Sequence, residues 1–211
     1  MSEATTKQGP QERRTQRLFE IADGQAGYFT AKQAGDVGYN YRLQHYHRER
    51  GHWKQVGHGL FRLVQYPEGN NEDLARLSLW SRNRKGEPQA VASHETALRL
   101  HGLSDLMPEK VHLSVPKGFR KQSPKGVVLH KTDIPEADAE ALNGFRVTTP
   151  LRTILDVARS REISPEHLES AVREAVARGL VRRKTLREEL SRLEDDRRPR
   201  IAEEALREAA T

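Results

Sequence analysis

The sequence predicts an α+β protein in two parts, and three observations carry that prediction. Within the first 66 residues, three short stretches of helical periodicity are followed by an alternating apolar pattern folded about Gly57-His58-Gly59. The run Pro67-Glu68-Gly69-Asn70-Asn71 then breaks all periodicity. Beyond it, helical and strand periods interleave before giving way to helices alone. The order helix, helix, turn, helix, hairpin is that of a winged helix-turn-helix. The expected architecture is therefore an N-terminal winged helix-turn-helix followed by a mixed α/β C-terminal domain with a small sheet and a helical tail. The expected bounds are a disordered tail over residues 1–10, the winged helix over 11–66, an α/β domain over 72–160 and a helical extension over 161–211.

The first helix is predicted from Thr15, because Leu18, Phe19, Ile21 and Ala22 recur at helical spacing and stop at Asp23-Gly24. Thr30 supplies an N-cap for a short second helix through Ala34, and Gly35 and Gly38 allow a tight turn. Asn40 caps a third helix. On it Leu43, Tyr46 and His47 form the expected packing face, and Tyr41, Arg42, Gln44, His45 and Arg48 the outward one. Gly51 ends it. Strands over residues 53–56 and 60–64 then pair as a wing.

In the second half, helices are predicted over residues 72–84 and 93–101, and strands over 111–115, 127–130 and 145–148. Thr149-Pro150 and Ser164-Pro165 each place a capping hydroxyl before a proline at the first helical position, so helices start there. Gly179 ends the helix that begins at Pro165, Thr185 caps another, and residues 197–200 form a basic break before a short final helix. No internal repeat or low-complexity tract interrupts this order.

Composition narrows the function classes. The chain has 211 residues, with 36 Lys and Arg against 30 Asp and Glu, a net charge of +6 that favours a polyanionic partner. That excess is too small and too dispersed for a histone-like coat of charge. The absence of cysteine excludes disulfides, thiolate zinc sites and a catalytic thiol. No apolar run is long enough to span a bilayer and the first residues are polar, so a cytoplasmic protein with no membrane partner is expected.

A helix-turn-helix works because its second helix is held out at an angle that fits the DNA major groove, while the preceding helix braces it. Arg42, Gln44, His45 and Arg48 offer donors and acceptors that suit base edges, since arginine matches guanine and glutamine matches adenine in bidentate geometry. Asn40 and Tyr41, at the start of that helix, stand within reach of a base or phosphate. Lys54 and His58 belong to the wing, and Thr30 and Lys32 to the helix that crosses the backbone. These residues are the expected DNA-binding set.

Residues 27–63, GYFTAKQAGDVGYNYRLQHYHRERGHWKQVGHGLFRL, resemble the N-terminal winged helix of AbiEi-type antitoxins from abortive-infection toxin–antitoxin systems. ASHETALRLHGL at residues 92–103, VHLSVP at 111–116 and VTTPLRTILDVA at 147–158 are similar, in order and spacing, to blocks of that family's C-terminal domain. The resemblance implies an autorepressor that binds inverted-repeat operator DNA through its winged helix. It also implies a C-terminal domain that counteracts a cognate nucleotidyltransferase-like toxin. The alternatives are a stand-alone winged-helix transcription factor and, further off, a DNA-processing nuclease.

An enzyme reading rests on Ser93, His94, His101, His112, His130, Thr148, Arg152 and Asp156, polar residues set in otherwise apolar elements. Spacing argues against it. His94 and His101 are seven apart, too far to share one ion, and His112 and His130 on neighbouring strands lack a matching carboxylate. Ser93 reads as a helix cap, and Arg152 and Asp156 as an ion pair at i,i+4. Glu109-Lys110 lacks the residue between that a nuclease strand needs to present both groups on one face. No catalytic residue, metal or cofactor is expected. Arg178, Arg182, Arg183 and Lys184 would offer a second anion-binding face but read more simply as solvated helix surface.

Overall fold

The computed structural model describes residues 9–105, 108–160, 163–193, 201–202 and 204–205. It is a mixed α+β fold in two units, the first reaching Gln89 and taking in Asn143–Phe145, the second comprising Ala90–Leu142 and the chain from Arg146 on. The tail expected over residues 1–10 falls, for residues 1–8, outside the described residues, as does the basic break at 197–200.

In the first unit, α1 (Pro10–Asp23) starts earlier than the apolar period suggests, because proline fits the first helical position and Glu12 caps the Gly9 N–H. Then follow β1 (Tyr28–Thr30), α2 (Ala31–Asp36), α3 (Tyr41–Glu49) and the hairpin β2 (Trp53–Gly57) and β3 (Leu60–Leu63). Strand β1 was not legible in the sequence. It pairs antiparallel with β3, making a three-stranded sheet of order β1-β3-β2. The core beneath holds Leu18, Ala22, Phe29, Ala34, Tyr39, Trp53 and Phe61. Gly27, at φ 84°, lets the chain enter β1 under Tyr66: a Cβ there would stand 2.5 Å from the tyrosine ring.

Helix α4 (Glu72–Trp80) belongs to this unit, so the boundary falls after Gln89 and not at residues 67–71. The reason is electrostatic as well as apolar. Arg62 of β3 donates to Glu72 at 2.7 Å and to the Pro67 carbonyl at 3.1 Å, and Gly69 N–H and the Tyr28 hydroxyl also donate to Glu72. Burial alone would raise the Glu72 pKa, but these donors outweigh it and hold the carboxyl below its ordinary range. The apparent linker is thus folded around one carboxylate, and α4 packs on β1.

In the second unit a five-stranded sheet of order β6-β5-β4-β8-β7 is built from β4 (Val91–Ala92), β5 (Val111–Val115), β6 (Val127–Lys131), β7 (Ala139–Leu142) and β8 (Phe145–Thr148). Strand β4 lies antiparallel to β5 and parallel to β8, and β5 parallel to β6. The helices are α5 (His94–Leu100), α6 (Pro150–Arg159), α7 (Pro165–Ala177) and α8 (Arg183–Ser191). Thr149 and Ser164 cap α6 and α7 as predicted, accepting from the N–H groups of Arg152 and His167. Gly179, at φ 69°, ends α7. Thr185 does not cap: it lies inside α8, whose N-cap position is Arg182.

Residues beyond 160 are no appendage. Leu98 of α5, Ile154 and Val157 of α6, Leu168 and Val172 of α7, Leu186 and Leu190 of α8, and Ala202 and Ala205 share one buried cluster. The helical tail is the other half of the second unit's core.

Candidate nucleic-acid interface

Helix α3 is positioned from both ends and from below. At its start Asn40 Oδ1 accepts the Leu43 N–H at 3.0 Å. Underneath, Leu43 packs against the core, and the His47 ring stacks on Trp53 with centroids 4.9 Å apart and planes 15° from parallel. Trp53 is 4 % exposed and is itself wedged among Phe29, Tyr39 and Phe61, so α3 rests on rigid aromatic packing. The His47 pKa lies below its ordinary value, chiefly through burial and then through electrostatic repulsion from His52 and Arg14.

The two faces of α3 differ from the expected assignment at two positions. Gln44 turns inward, its amide donating to the Ala31 carbonyl at 3.0 Å and the Tyr39 carbonyl at 2.7 Å. It thereby ties α3 to the start of α2 and to the preceding turn, so it is a brace. Tyr46 points out instead, 48 % exposed, with the Arg50 guanidinium over its ring at 5.5 Å. At about 100° per residue, Gln44 and Tyr46 lie equally far, about 80°, on either side of the direction that Leu43 and His47 define, so the helical period alone does not choose between them.

The outward face carries Tyr41, 86 % exposed, with Arg42, His45 and Arg48. Arg48 is ordered by its neighbours: it meets His45 Nδ1 at 2.9 Å, donates to Gln55 of β2 at 3.2 Å and pairs with Glu49 at 3.4 Å. Such exposed contacts contribute little to stability, and they keep the guanidinium between α3 and the hairpin. Gln55 and Tyr46 are members of this surface that periodicity did not single out.

Lys54 and His58 are exposed on the hairpin. Its tip is held by an Arg82 guanidinium donating to the His58 carbonyl at 3.2 Å, and its return by the Ala31 N–H on the Gly59 carbonyl at 2.9 Å. A register shift between Gln55 and Gly57 sharpens the local twist. Lys32 is exposed and its ammonium donates to the Lys85 carbonyl at 2.9 Å. Thr30 does not fit the expected set: it is 5 % exposed, and its hydroxyl accepts the Gln33 N–H in the capping box of α2. Asn40 likewise spends its side-chain oxygen on capping.

The polar residues behind the enzyme reading are brought together only in part. His112 and His130 are neighbours across β5 and β6, Nδ1 to Nε2 at 3.0 Å, and the His94 ring stacks on His130 at 3.6 Å. Stacked imidazoles aim their lone pairs in parallel planes, and among the described residues no three His, Asp or Glu side chains are placed to hold one ion. Ser93 occupies the N-cap position of α5 but makes no cap bond, its hydroxyl accepting from Ser114 at 2.9 Å. His101 Nε2 lies 2.7 Å from the Thr148 carbonyl, well apart from His94 in role. Arg152 pairs with Asp156 and Asp138, at 2.8 and 2.9 Å. Arg178 donates to the carbonyls of His101 and Gly102 at 3.0 Å, closing the end of α5.

Two family models match the chain: that of the AbiEi antitoxin C-terminal domain over residues 90–208, and that of a transcriptional regulator, AbiEi antitoxin, over residues 16–64. The chain belongs to the AbiEi antitoxin family. The C-terminal match begins where the second unit begins and runs through the helical tail, so the AbiEi domain includes residues expected as an extension. No curated protein gives a significant match. As a member of this family the chain has the features of an antitoxin and transcriptional regulator, with α3 and its hairpin inside the regulator match. No helix among the described residues is long and apolar enough to cross a membrane.

Proposed function

We propose that this chain binds inverted-repeat operator DNA through α3 and the β2–β3 hairpin, autorepresses a toxin–antitoxin operon, and counteracts a nucleotidyltransferase-like toxin with its second unit. The observation that carries the DNA reading is the division of α3. Its inner side is filled by Leu43, Gln44 and His47, while Tyr41, Arg42, His45 and Arg48 stand in solvent beside a cationic hairpin. A helix so braced enters a major groove without repacking, with Arg42 and Arg48 against base edges or phosphates and Lys54 and His58 against the adjoining backbone. The chain acts by binding and not by catalysis.

A mobility-shift titration of the full chain on its own promoter tests this. Sequence-specific retardation that falls at least tenfold in Arg42→Ala with Arg48→Ala supports the reading, and equal retardation of scrambled DNA overturns it. Co-expression with a nucleotidyltransferase-like toxin tests the second activity. The same double variant should still rescue growth, since neither arginine lies in the second unit.

A further inference from the structure

We propose that a cavity within the first unit is an effector site for a small aromatic acid, and that filling it shifts α3. The cavity is partly open and holds about 410 Å3, within the range of about 300–1,000 Å3 common for small-molecule sites and roomy enough for one or two fused rings. Its walls are mainly aromatic. Tyr39, His47 and Trp53 line it, as do Phe19 and Tyr66, tilted with ring centroids 6.2 Å apart. Phe19 is 47 % exposed, an apolar ring left in water for which an aromatic ligand would supply the missing cover.

Charge selects the ligand further. No residue lining the cavity is acidic, and His47 and His52 bring their Nδ1 atoms to 3.0 Å of one another on its wall. Of two imidazole nitrogens that face each other in a hydrogen bond one donates and the other accepts, which leaves the accepting ring an N–H at its outer nitrogen for an anion. Arg14 stands behind, its guanidinium 5.5 Å from the Tyr39 ring centroid. An aromatic carboxylate matches both features, whereas a cation, which can also rest on aromatic faces, would meet Arg14 and no acidic group.

The same residues explain the coupling. Tyr39 immediately precedes the Asn40 cap of α3, and its carbonyl receives the Gln44 brace. His47 is the stacked foot of α3, and His52 lies just beyond its end. An occupant resting on Tyr39, His47 and His52 therefore touches both ends of the helix assigned to the groove. This coupling rests on the DNA reading above; occupancy of the cavity does not.

Calorimetric titration of the full chain, without DNA, with 2-naphthoate and its neutral counterpart 2-naphthylmethanol tests the site. Single-site binding with at least a tenfold preference for the acid is expected. Gln65→Trp, a filling change at an exposed lining position, should abolish it, and His52→Ala, also exposed, should remove the preference while the alcohol still binds. No saturable binding, binding indifferent to Gln65→Trp, or preference for the alcohol overturns the proposal. So does self-association through this face, seen as a sedimentation shift that Gln65→Trp reverses while naphthoate fails to bind. A second arm measures operator retardation with and without naphthoate, where at least a threefold change is expected. An unchanged shift by a chain that binds both overturns the coupling, and a chain that binds naphthoate but no DNA refutes only the DNA reading.

Discussion

His47 lies flat on Trp53, centroids 4.9 Å apart, and through that stack the most exposed helix of the first unit is fixed to its most enclosed aromatic core. Trp53→Ala removes this support together with the contacts to Phe29, Tyr39 and Phe61. A loss of about 3–5 kcal/mol is expected from a buried tryptophan. Urea unfolding followed by far-ultraviolet circular dichroism would read it as an earlier transition. Trp53→Phe, which keeps a ring under His47, should retain more than half of that stability.

Gln44→Ala distinguishes a brace from a base contact. The amide serves two carbonyls, Ala31 and Tyr39, that would otherwise lose a partner. A cost of about 1–2 kcal/mol in unfolding free energy is expected. Operator affinity should fall by the same factor on matched and mismatched sites. A change in base preference would show instead that Gln44 reaches the DNA.

Arg42 and Lys54 should separate by salt dependence. Lys54 lies on the hairpin and faces solvent, placed for a phosphate, so Lys54→Ala should weaken binding on all sequences and reduce the slope of log K against log salt by about one. Arg42→Ala, on the outward face of α3, should instead cost about 1–3 kcal/mol on the operator and relax preference at one position.

Local chemistry was legible in the sequence and long-range chemistry was not. The caps at Asn40, Thr149 and Ser164 depend only on residues three positions on, so reading the chain locates them. Strand β1 is three residues whose partner, β3, lies some thirty positions away, too short to show a period by itself. Residues 67–71 have the composition of a linker, yet Arg62 and Glu72 clamp them, and only the fold brings that pair together. On α3 a scale that puts tyrosine inside and glutamine outside misplaces Tyr46 and Gln44, because the buried carbonyls that Gln44 satisfies belong to other elements. The cavity is built where four segments meet, and no one of them announces it.

Asp156 gives the second unit a polar dependency. Its side chain is 6 % exposed, burial raises its pKa, and Arg152 opposes that rise through a 2.8 Å bond. The other carboxylate oxygen is buried without a hydrogen-bond partner. Arg152→Ala strands this charge, and a loss of about 3–5 kcal/mol in thermal or urea unfolding is expected. Arg152→Ala with Asp156→Asn should recover part of that loss, because the neutral amide has no charge to strand. A double variant no better than the single would show that Arg152 stabilises through packing and its bond to Asp138 instead.

His94 makes the second unit sensitive to acid in a direction that follows from its surroundings. It is 7 % exposed and stacked on His130. Burial first, then electrostatic repulsion from His130, His112 and Arg152, lower its pKa from 6.5 to about 3. The folded chain thus refuses a proton that the unfolded chain accepts. The stability this histidine contributes is complete above pH 6.5 and is lost progressively as pH falls from 6.5 toward about 3. Between pH 7 and pH 5 the loss is about 2 kcal/mol. His94 also sits at φ 52°, a left-handed conformation that asparagine tolerates better than most residues. His94→Asn should therefore fold and should flatten the fall of the urea midpoint between pH 7 and pH 5, while a variant as acid-sensitive as the parent would place the titration on another group.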